Sequence, residues 1–338
     1  MNRALIVHQA GPGVTVQDLG RPGYLAYGLS CGGAADRLAL YEGAALLGQE
    51  PGLAALEMAG AGGSFEPTET LRIALTGATM RASLDGAPLA WNASHLLPAG
   101  ARLVIGPAMA GVYGYLHLGG GIATPEVLGA RSAHLAAGIG APLAAGDQIP
   151  IGPDRRADET GLRLDAEERL SGGTVRVVAG YQTGMFPDAE LARFEATLFT
   201  RDARGNRMGV RLNPEGAGFA GRAGLSVLSE AIVPGDIQIT GDGAPFVLMA
   251  ECQTTGGYPR IGAVLACDLP RVAQAAPGTK LRLRFVPPAE ALAAERRAAE
   301  ARAGLRRRLT RLVRDPHDIR DLLSYELISG VIAGNEEE

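Results

Sequence analysis

The chain has 338 residues with 46% hydrophobic and 20% charged side chains, a balance that predicts a folded protein of about two domains and excludes a disordered one. Its 32 basic and 36 acidic residues give a net charge of −4, which argues against a general nucleic-acid binder; Lys280 is the only lysine among the basic residues. A biotinylated hairpin and a phosphate-binding loop both need a lysine in a set context that Pro277-Gly278-Thr279-Lys280-Leu281 does not supply, so neither biotin attachment nor a P-loop is expected on this chain.

In chain order, the apolar run after Asp36 predicts a helix over 37–47, with Asp36 at its N-cap and Gly48 as its stop. Short β-type runs bounded by Gly, Pro or Asp follow at 71–75, 101–105 and 113–118, with a helical turn at 125–128. The polar stretch 153–173 reads as a linker. Beyond it come strands at 174–178, 236–239, 246–249 and 281–286, and helices at 188–198 and 269–273. Both halves share the order strand, glycine cluster, short helix and closing strand, which predicts two tandem related β-rich domains at 1–152 and 174–288. The 48 Gly and 21 Pro fit such a frequently turning chain.

Residues 289–338 form a charged helical C-terminal extension. Its first part, 289–314, carries eight Arg and three Glu, and Leu305, Leu309 and Leu312 have helical spacing; its second part, 315–338, carries seven acids and one Arg. This extension is read as a solvated helix or as a dock for a partner protein. No apolar run is long enough for a membrane span or a secretory signal, so a cytoplasmic location is expected. Cys31, Cys252 and Cys267 are odd in number and lack metal-site spacing, and no metal cluster is expected.

Several segments can carry chemistry. Val16-Gln17-Asp18-Leu19-Gly20-Arg21-Pro22-Gly23-Tyr24 can present Arg21 and Tyr24 to a small substrate, or be a structural loop in which Asp18 pairs with Arg21. Gly28-Leu29-Ser30-Cys31-Gly32 has the spelling of a nucleophile elbow, but without the preceding parallel strands. Gly32-Gly33 before a helix suits an anionic oxygen, while Asp36 is a catalytic candidate or simply a cap. Gly216-Ala217-Gly218-Phe219-Ala220-Gly221 matches a dinucleotide fingerprint without its βαβ context. Asn206-Arg207-Met208-Gly209-Val210-Arg211 would put Arg207 and Arg211 on one face of an extended run, able to clamp a carboxylate or phosphate. Gln253-Thr254-Thr255-Gly256-Gly257-Tyr258 offers neutral hydrogen-bonding groups suited to an amide or an oxyanion, against an ordinary polar turn.

With Leu56-Glu57, Leu75-Thr76-Gly77-Ala78 and Gly235-Asp236-Ile237-Gln238, the motifs at 16–24, 33–36, 207–212 and 253–259 resemble the allophanate-hydrolase-subunit-2 family, also called the biotin-dependent carboxyltransferase family. The resemblance covers about residues 3–290. It implies two cyclophilin-like β-barrel domains and a subunit-1-type partner, similar to the B-type component of 5-oxoprolinase. In one branch it also implies an A-type component, in an ATP-dependent complex that hydrolyses 5-oxoproline to glutamate. On that reading Gln253, Thr254, Tyr258 and Asp36 are catalytic candidates, and Arg21, Tyr24, Glu57, Asn206, Arg207, Arg211, Gly256 and Gly257 contact substrate, with ATP bound somewhere in the complex. A carboxyltransferase acting on urea or a related amide and a non-catalytic regulator of a Kip-inhibitor-like partner are the alternatives. The chain departs from the family pattern at Ala35, usually Met, and at Glu251-Cys252, usually Asp-Arg.

Overall fold

The computed structural model describes residues 3–156, 159–222, 224 and 226–313. Among the described residues the architecture is mainly β with four α-helices: α1 (Arg37–Leu47), α2 (Asp188–Ala196), α3 (Leu269–Gln274) and α4 (Pro288–Ala303). The first half is built on an 11-stranded sheet. At its centre the long strands Leu71–Leu84 and Leu103–Leu118 pair antiparallel, from Ile73 opposite Leu118 to Leu84 opposite Leu103, with register shifts between Gly77 and Ala82. The two strands expected at 101–105 and 113–118 are therefore one. Register irregularities let long strands bend while staying paired, which hides their continuity from a reading of alternation.

The second half closes into a seven-stranded barrel from Gly173–Val178 to Lys280–Phe285, and those two strands join parallel. The span 153–173, read as a linker, contributes the strand Leu162–Leu164 to the first sheet, between Ala93–Leu97 and Leu309–Arg311. That last strand corrects the expected helical stripe. α4 ends at Gly304, and Leu305 and Leu309 instead pack with Leu46, Leu47 and Leu164 against the first half. The helical turn expected at 125–128 is also absent, because Val127 and Ala130 bridge across a tight turn. Residues 314–338, which include the whole acidic part of the extension, lie outside the described residues.

α1 starts and stops as its caps require. Asp36 Oδ1 accepts from Ala39 N at 3.2 Å, and Gly48 takes the left-handed conformation, φ 62°, that favours glycine. The largest core cluster runs through the junction of the halves: Ala34, Ala35, Leu40, Tyr113 and Tyr115 cluster with residues of the second half such as Phe186, Phe199, Val210 and Val272. Continuous apolar burial of this kind holds the two halves as one packed unit.

Gly43, on the buried face of α1, tests that packing. A methyl group there would overlap the His117 imidazole, which is fully buried and hydrogen-bonded to Thr76 Oγ1 at 2.8 Å, and whose pKa burial pushes down to about 3. Alanine improves intrinsic helix propensity by about 1 kcal/mol over glycine, whereas overpacking a rigid site costs about 1–3 kcal/mol or more. Gly43→Ala is therefore expected to lower the unfolding free energy in urea by about 1–2 kcal/mol. An equally or more stable variant would show that the His117 ring yields freely.

Candidate functional site

The junction of the halves is organised by Arg207, in the turn that precedes the barrel strand Gly209–Pro214. Asn206 Oδ1 accepts from Met208 N at 2.8 Å and forms that turn, which directs Arg207 away from the barrel and across to the first half. Its Nε donates to Glu251 Oε1 at 2.6 Å, Nη1 donates to Glu57 Oε1, and Nη2 donates to Gly33 O at 2.5 Å. Gly33 has φ 84°, and a Cβ there would run into the backbone of Leu19 and Gly20, so this close approach requires glycine. The second oxygen of Glu57 accepts from Tyr115 Oη at 2.6 Å and from Ala35 N at 2.8 Å. Burial and the facing Glu57 hold the Tyr115 phenol well above its ordinary range, so it stays a donor.

A second buried triad is joined to the first through Tyr115. Asp36 N donates to Tyr115 Oη at 2.8 Å. The Asp36 side chain accepts from Arg169 Nε at 2.7 Å and from Gln274 Nε2 at 2.8 Å. Arg169 also grips Glu42 bidentately, at 2.9 and 2.6 Å. Gln274, fully buried on α3, accepts from the amides of Val112 and Tyr113, so it stitches the barrel half to the central strand of the first. Each triad has one guanidinium for two carboxylates. Burial pushes Glu42 up to about 7 despite Arg169, and the nearby Asp36 adds to the shift.

Loops carrying the other motifs close the junction. Gly32 N donates to Ala250 O at 3.0 Å, and Ala136 N donates to Glu251 Oε2 at 3.2 Å. Asp18 and Arg21 do not pair. Asp18 accepts from the amides of Gly20 and Arg131, and buried Arg21 donates to the carbonyls of Val127 and Ser132, fixing the 127–132 loop. Ser30 lies 2.8 Å from His134 Nε2, but His134 Nδ1 accepts from Ala137 N, so Nε2 carries the proton and donates to Ser30. That tautomer cannot take the serine proton, and the resemblance to a nucleophile elbow ends there. The Gly216–Gly221 run is a loop whose Ala217 and Gly218 carbonyls accept from Arg193.

The expected clamp of Arg207 with Arg211 does not form. Arg207 lies before the strand, so strand alternation does not apply to the pair; Arg211 bonds Asp242 and Asn213 and shares no partner with Arg207. Asp36, read as catalytic, is fully buried as a helix cap, and Glu57 is 1% exposed and committed to Arg207 and Tyr115. The neutral groups are the accessible ones. Gln253 is exposed and Tyr258 is 44% exposed, on a segment that starts two residues after the Glu251 anchor and pairs through Thr255–Gly256 with Glu230–Ala231. Tyr24 is half-buried and Asn206 is exposed in its turn. Arg169, Glu42, Gln274 and Tyr115 carry no signal in the sequence. Arg169 stands in apparent linker, and nothing in local spacing marks a residue whose partners lie 127 and 133 positions away. Among the described residues, no group of three or more His, Cys, Asp or Glu is placed to hold a metal ion, and no helix is long and apolar enough to cross a membrane.

Residues 27–285 match the family model of the carboxyltransferase domain, subdomains A and B. The chain is 34% identical over 275 residues to the C subunit of 5-oxoprolinase from Escherichia coli, covering 80% of this chain and 87% of that one, and 33% identical to that of Haemophilus influenzae over 80% and 88%. It is 28% identical to the urea amidolyase of Lachancea kluyveri, spanning 84% of this chain but 17% of that protein. Among solved structures, the protein TTHA0988 superposes with TM-score 0.75 at 30% identity over 84% of this chain and 55% of its own, and the Kluyveromyces lactis urea amidolyase shares the fold with TM-score 0.81 at 23% identity over 90% of this chain and 20% of its own.

Glu42 gives the buried network a pH signature. Its carboxyl rises from 4.5 to about 7 on folding, so the folded chain binds a proton that the unfolded chain releases. The resulting stabilisation is complete below pH 4.5 and is lost as pH rises through about 7. Glu42→Gln cannot titrate. The stability of the natural chain relative to this variant is expected to fall by on the order of 1–3 kcal/mol between pH 4.5 and 7.5, read from urea unfolding. A pH-independent difference would contradict the excess of buried carboxylate.

Proposed function

Because the chain belongs to the family of the carboxyltransferase domain, subdomains A and B, we propose that it is the C-type component of an ATP-dependent 5-oxoprolinase complex that hydrolyses 5-oxoproline to glutamate. The observation that carries this reading is the exposed, uncharged segment from Gln253 to Tyr258, anchored beside a largely buried arginine whose charge is already spent. A lactam presents one carbonyl acceptor and one N–H donor, and the Gln253 amide can answer both, with the Thr254 hydroxyl and Tyr258 phenol beside it. Gly256 and Gly257 let the segment approach a small ring closely. Hydrolysis adds water at the lactam carbon and breaks the C–N bond. In this reading Arg207 positions the segment through Glu251 and does not hold the substrate carboxylate, since its donors go to Glu251, Glu57 and Gly33.

The same residues do not suit a nucleotide. Glu57, Glu251 and Arg207, all largely withdrawn from solvent, sum to a negative site that would repel a triphosphate. ATP is therefore assigned to a partner, an A-type or B-type component, and no biotin is placed on this chain, where Lys280 Nζ bonds Glu215 and Thr200. Leu228, 87% exposed, lies beside this segment, where Val227 N donates to Gly257 O at 2.9 Å, and with Tyr258 it gives the partner an apolar foothold. A second reading, carboxyl transfer to urea or a related amide from biotin on another chain, follows the designation of the family model.

Glutamate release from 5-oxoproline by the reconstituted complex is expected to require both ATP and this chain. Gln253→Ala, at an exposed position, is expected to lower kcat at least about tenfold without loss of stability. Release that does not depend on this chain would overturn the reading. Release of nothing from 5-oxoproline, with biotin-dependent carboxylation of urea in its place, would establish the second.

A further inference from the structure

Among the described residues four arginines are buried: Arg21, Arg72, Arg169 and Arg201. Arg72 grips Asp154 at 2.8 and 2.6 Å. Arg169, which with Glu42 floors a cleft of about 470 Å³ among α1, α3 and α4, is matched by Asp36 and Glu42. Arg21 meets no acid but gives Nε and Nη2 to loop carbonyls. Arg201 meets no acid either, and it gives only Nη1, to the carbonyls of Asp202 and Ala203 at 2.8 and 3.5 Å. Its Nε has no partner, and its Nη2 makes no hydrogen bond among the described residues. A buried charged group with donors left unmade is costly, and Nε and Nη2 form an edge of the guanidinium that can take a carboxylate through two parallel bonds.

Arg201 ends the barrel strand Leu198–Arg201, two residues after the core residue Phe199, so strand alternation turns both side chains to the same, inner side. The acid next to it is engaged elsewhere: Asp202 accepts from Arg204 and Asn213. A Cβ at Gly205 would overlap Nη2 and Cζ, so this glycine leaves the guanidinium its seat. Burial lowers the pKa of Arg201, and Tyr113 and Asp202 do not restore it; in spite of burial, carboxylates raise Arg169 and Arg207. Tyr113 of the first half is close enough to feel the charge. Burial and Glu57 push its phenol up to about 12 against the pull of Arg207 and Arg201, so it stays protonated and can donate. The turn that follows Arg201 also leads to the candidate segment, since Arg207 O accepts from Glu251 N at 2.8 Å, two residues before Gln253.

Resting on the reading of this chain as a lactam-binding component, we propose that Arg201 holds the carboxylate of the substrate through Nε and Nη2, with the Tyr113 phenol as a further donor. 5-Oxoproline carries one carboxylate beside its lactam, and neither Arg207 nor Arg211 is free to take it. A single carboxylate answers both open donors and the guanidinium that no acid meets, and the Glu57–Glu251–Arg207 group keeps all its bonds. Arg201 is then the residue that separates 5-oxoproline from lactams without the acid group.

Glutamate release from 5-oxoproline by the reconstituted, ATP-supplied complex tests this role, with γ-butyrolactam, the same ring without the carboxylate, as competitor. Arg201→Gln is expected to raise KM for 5-oxoproline at least about tenfold, while the inhibition constant of γ-butyrolactam stays within about twofold of that of the natural chain. Gly205→Ala keeps the arginine but displaces it from its seat, and should raise KM in the same way. An unchanged KM in both variants would overturn the role of Arg201. So would an equal rise in the γ-butyrolactam constant, which would mark a general disturbance of the site. If the complex with the natural chain releases no glutamate, the lactam reading falls and the role of Arg201 with it; that failure shows before any variant is compared, so the two are told apart.

Discussion

One guanidinium sets the geometry on which the rest of this molecule depends. Arg207 leaves the second half in a turn shaped by Asn206 and ends between Glu57 of the first half and Glu251 of its own. A buried ion pair of this kind adds little net stability over well-packed apolar residues, but removing one partner strands a charge and costs about 3–5 kcal/mol. Its contribution is to orientation. The energy of association comes from the apolar cluster that runs through the junction, and Arg207 selects the one docking in which Gly33, Glu57 and Glu251 converge.

The arrangement is repeated. Arg169, between Asp36 and Glu42, forms a second group of one cation and two anions, joined to the first through Asp36 N, Tyr115 and Glu57. The connection runs from the cleft beside α4, whose floor Glu42 and Arg169 form, to the segment at Gln253 that carries the proposed substrate contacts. An excess of buried carboxylate makes both groups inhospitable to anions. In the proposed reading, the chemistry of this chain therefore falls to neutral hydrogen-bonding side chains, and the handling of phosphate to partner proteins. The 5-oxoprolinase relatives are by name single components of a larger enzyme, in keeping with a chain that contributes part of a site.

Much of this is legible in the sequence where the determinant is local. Asp36 and Gly48 mark both ends of α1, because an N-cap carboxylate and a left-handed stop act within one turn. Asp236–Ile239 is legible for the same reason, bounded by Gly235 and a turn. The motif segments at 16–24, 33–36, 207–212 and 253–258 each stand out alone, Leu56-Glu57 only through the family resemblance, and the structure brings parts of them to one junction. The features that the sequence conceals depend on partners far along the chain. Leu305 and Leu309 have helical spacing, yet Gly304 ends α4 and α1 offers them a better apolar surface. Arg207 and Arg211 look like a pair until the turn at Asn206 sends them apart. Arg169 sits in a polar stretch, and its importance exists only because Asp36 and Glu42 are buried beside it.

The central claim, that Arg207 and Glu57 hold the halves in register, is tested most directly by a double-mutant cycle of Arg207→Met and Glu57→Gln, with unfolding free energies measured in urea on the full chain. Each single variant leaves a buried charge or donor without its partner across the junction, and the double variant removes both at once. The double variant is expected to cost less than the sum of the singles by about 1–3 kcal/mol. Strict additivity would show that the two side chains act independently and that this pair does not set the register of the halves.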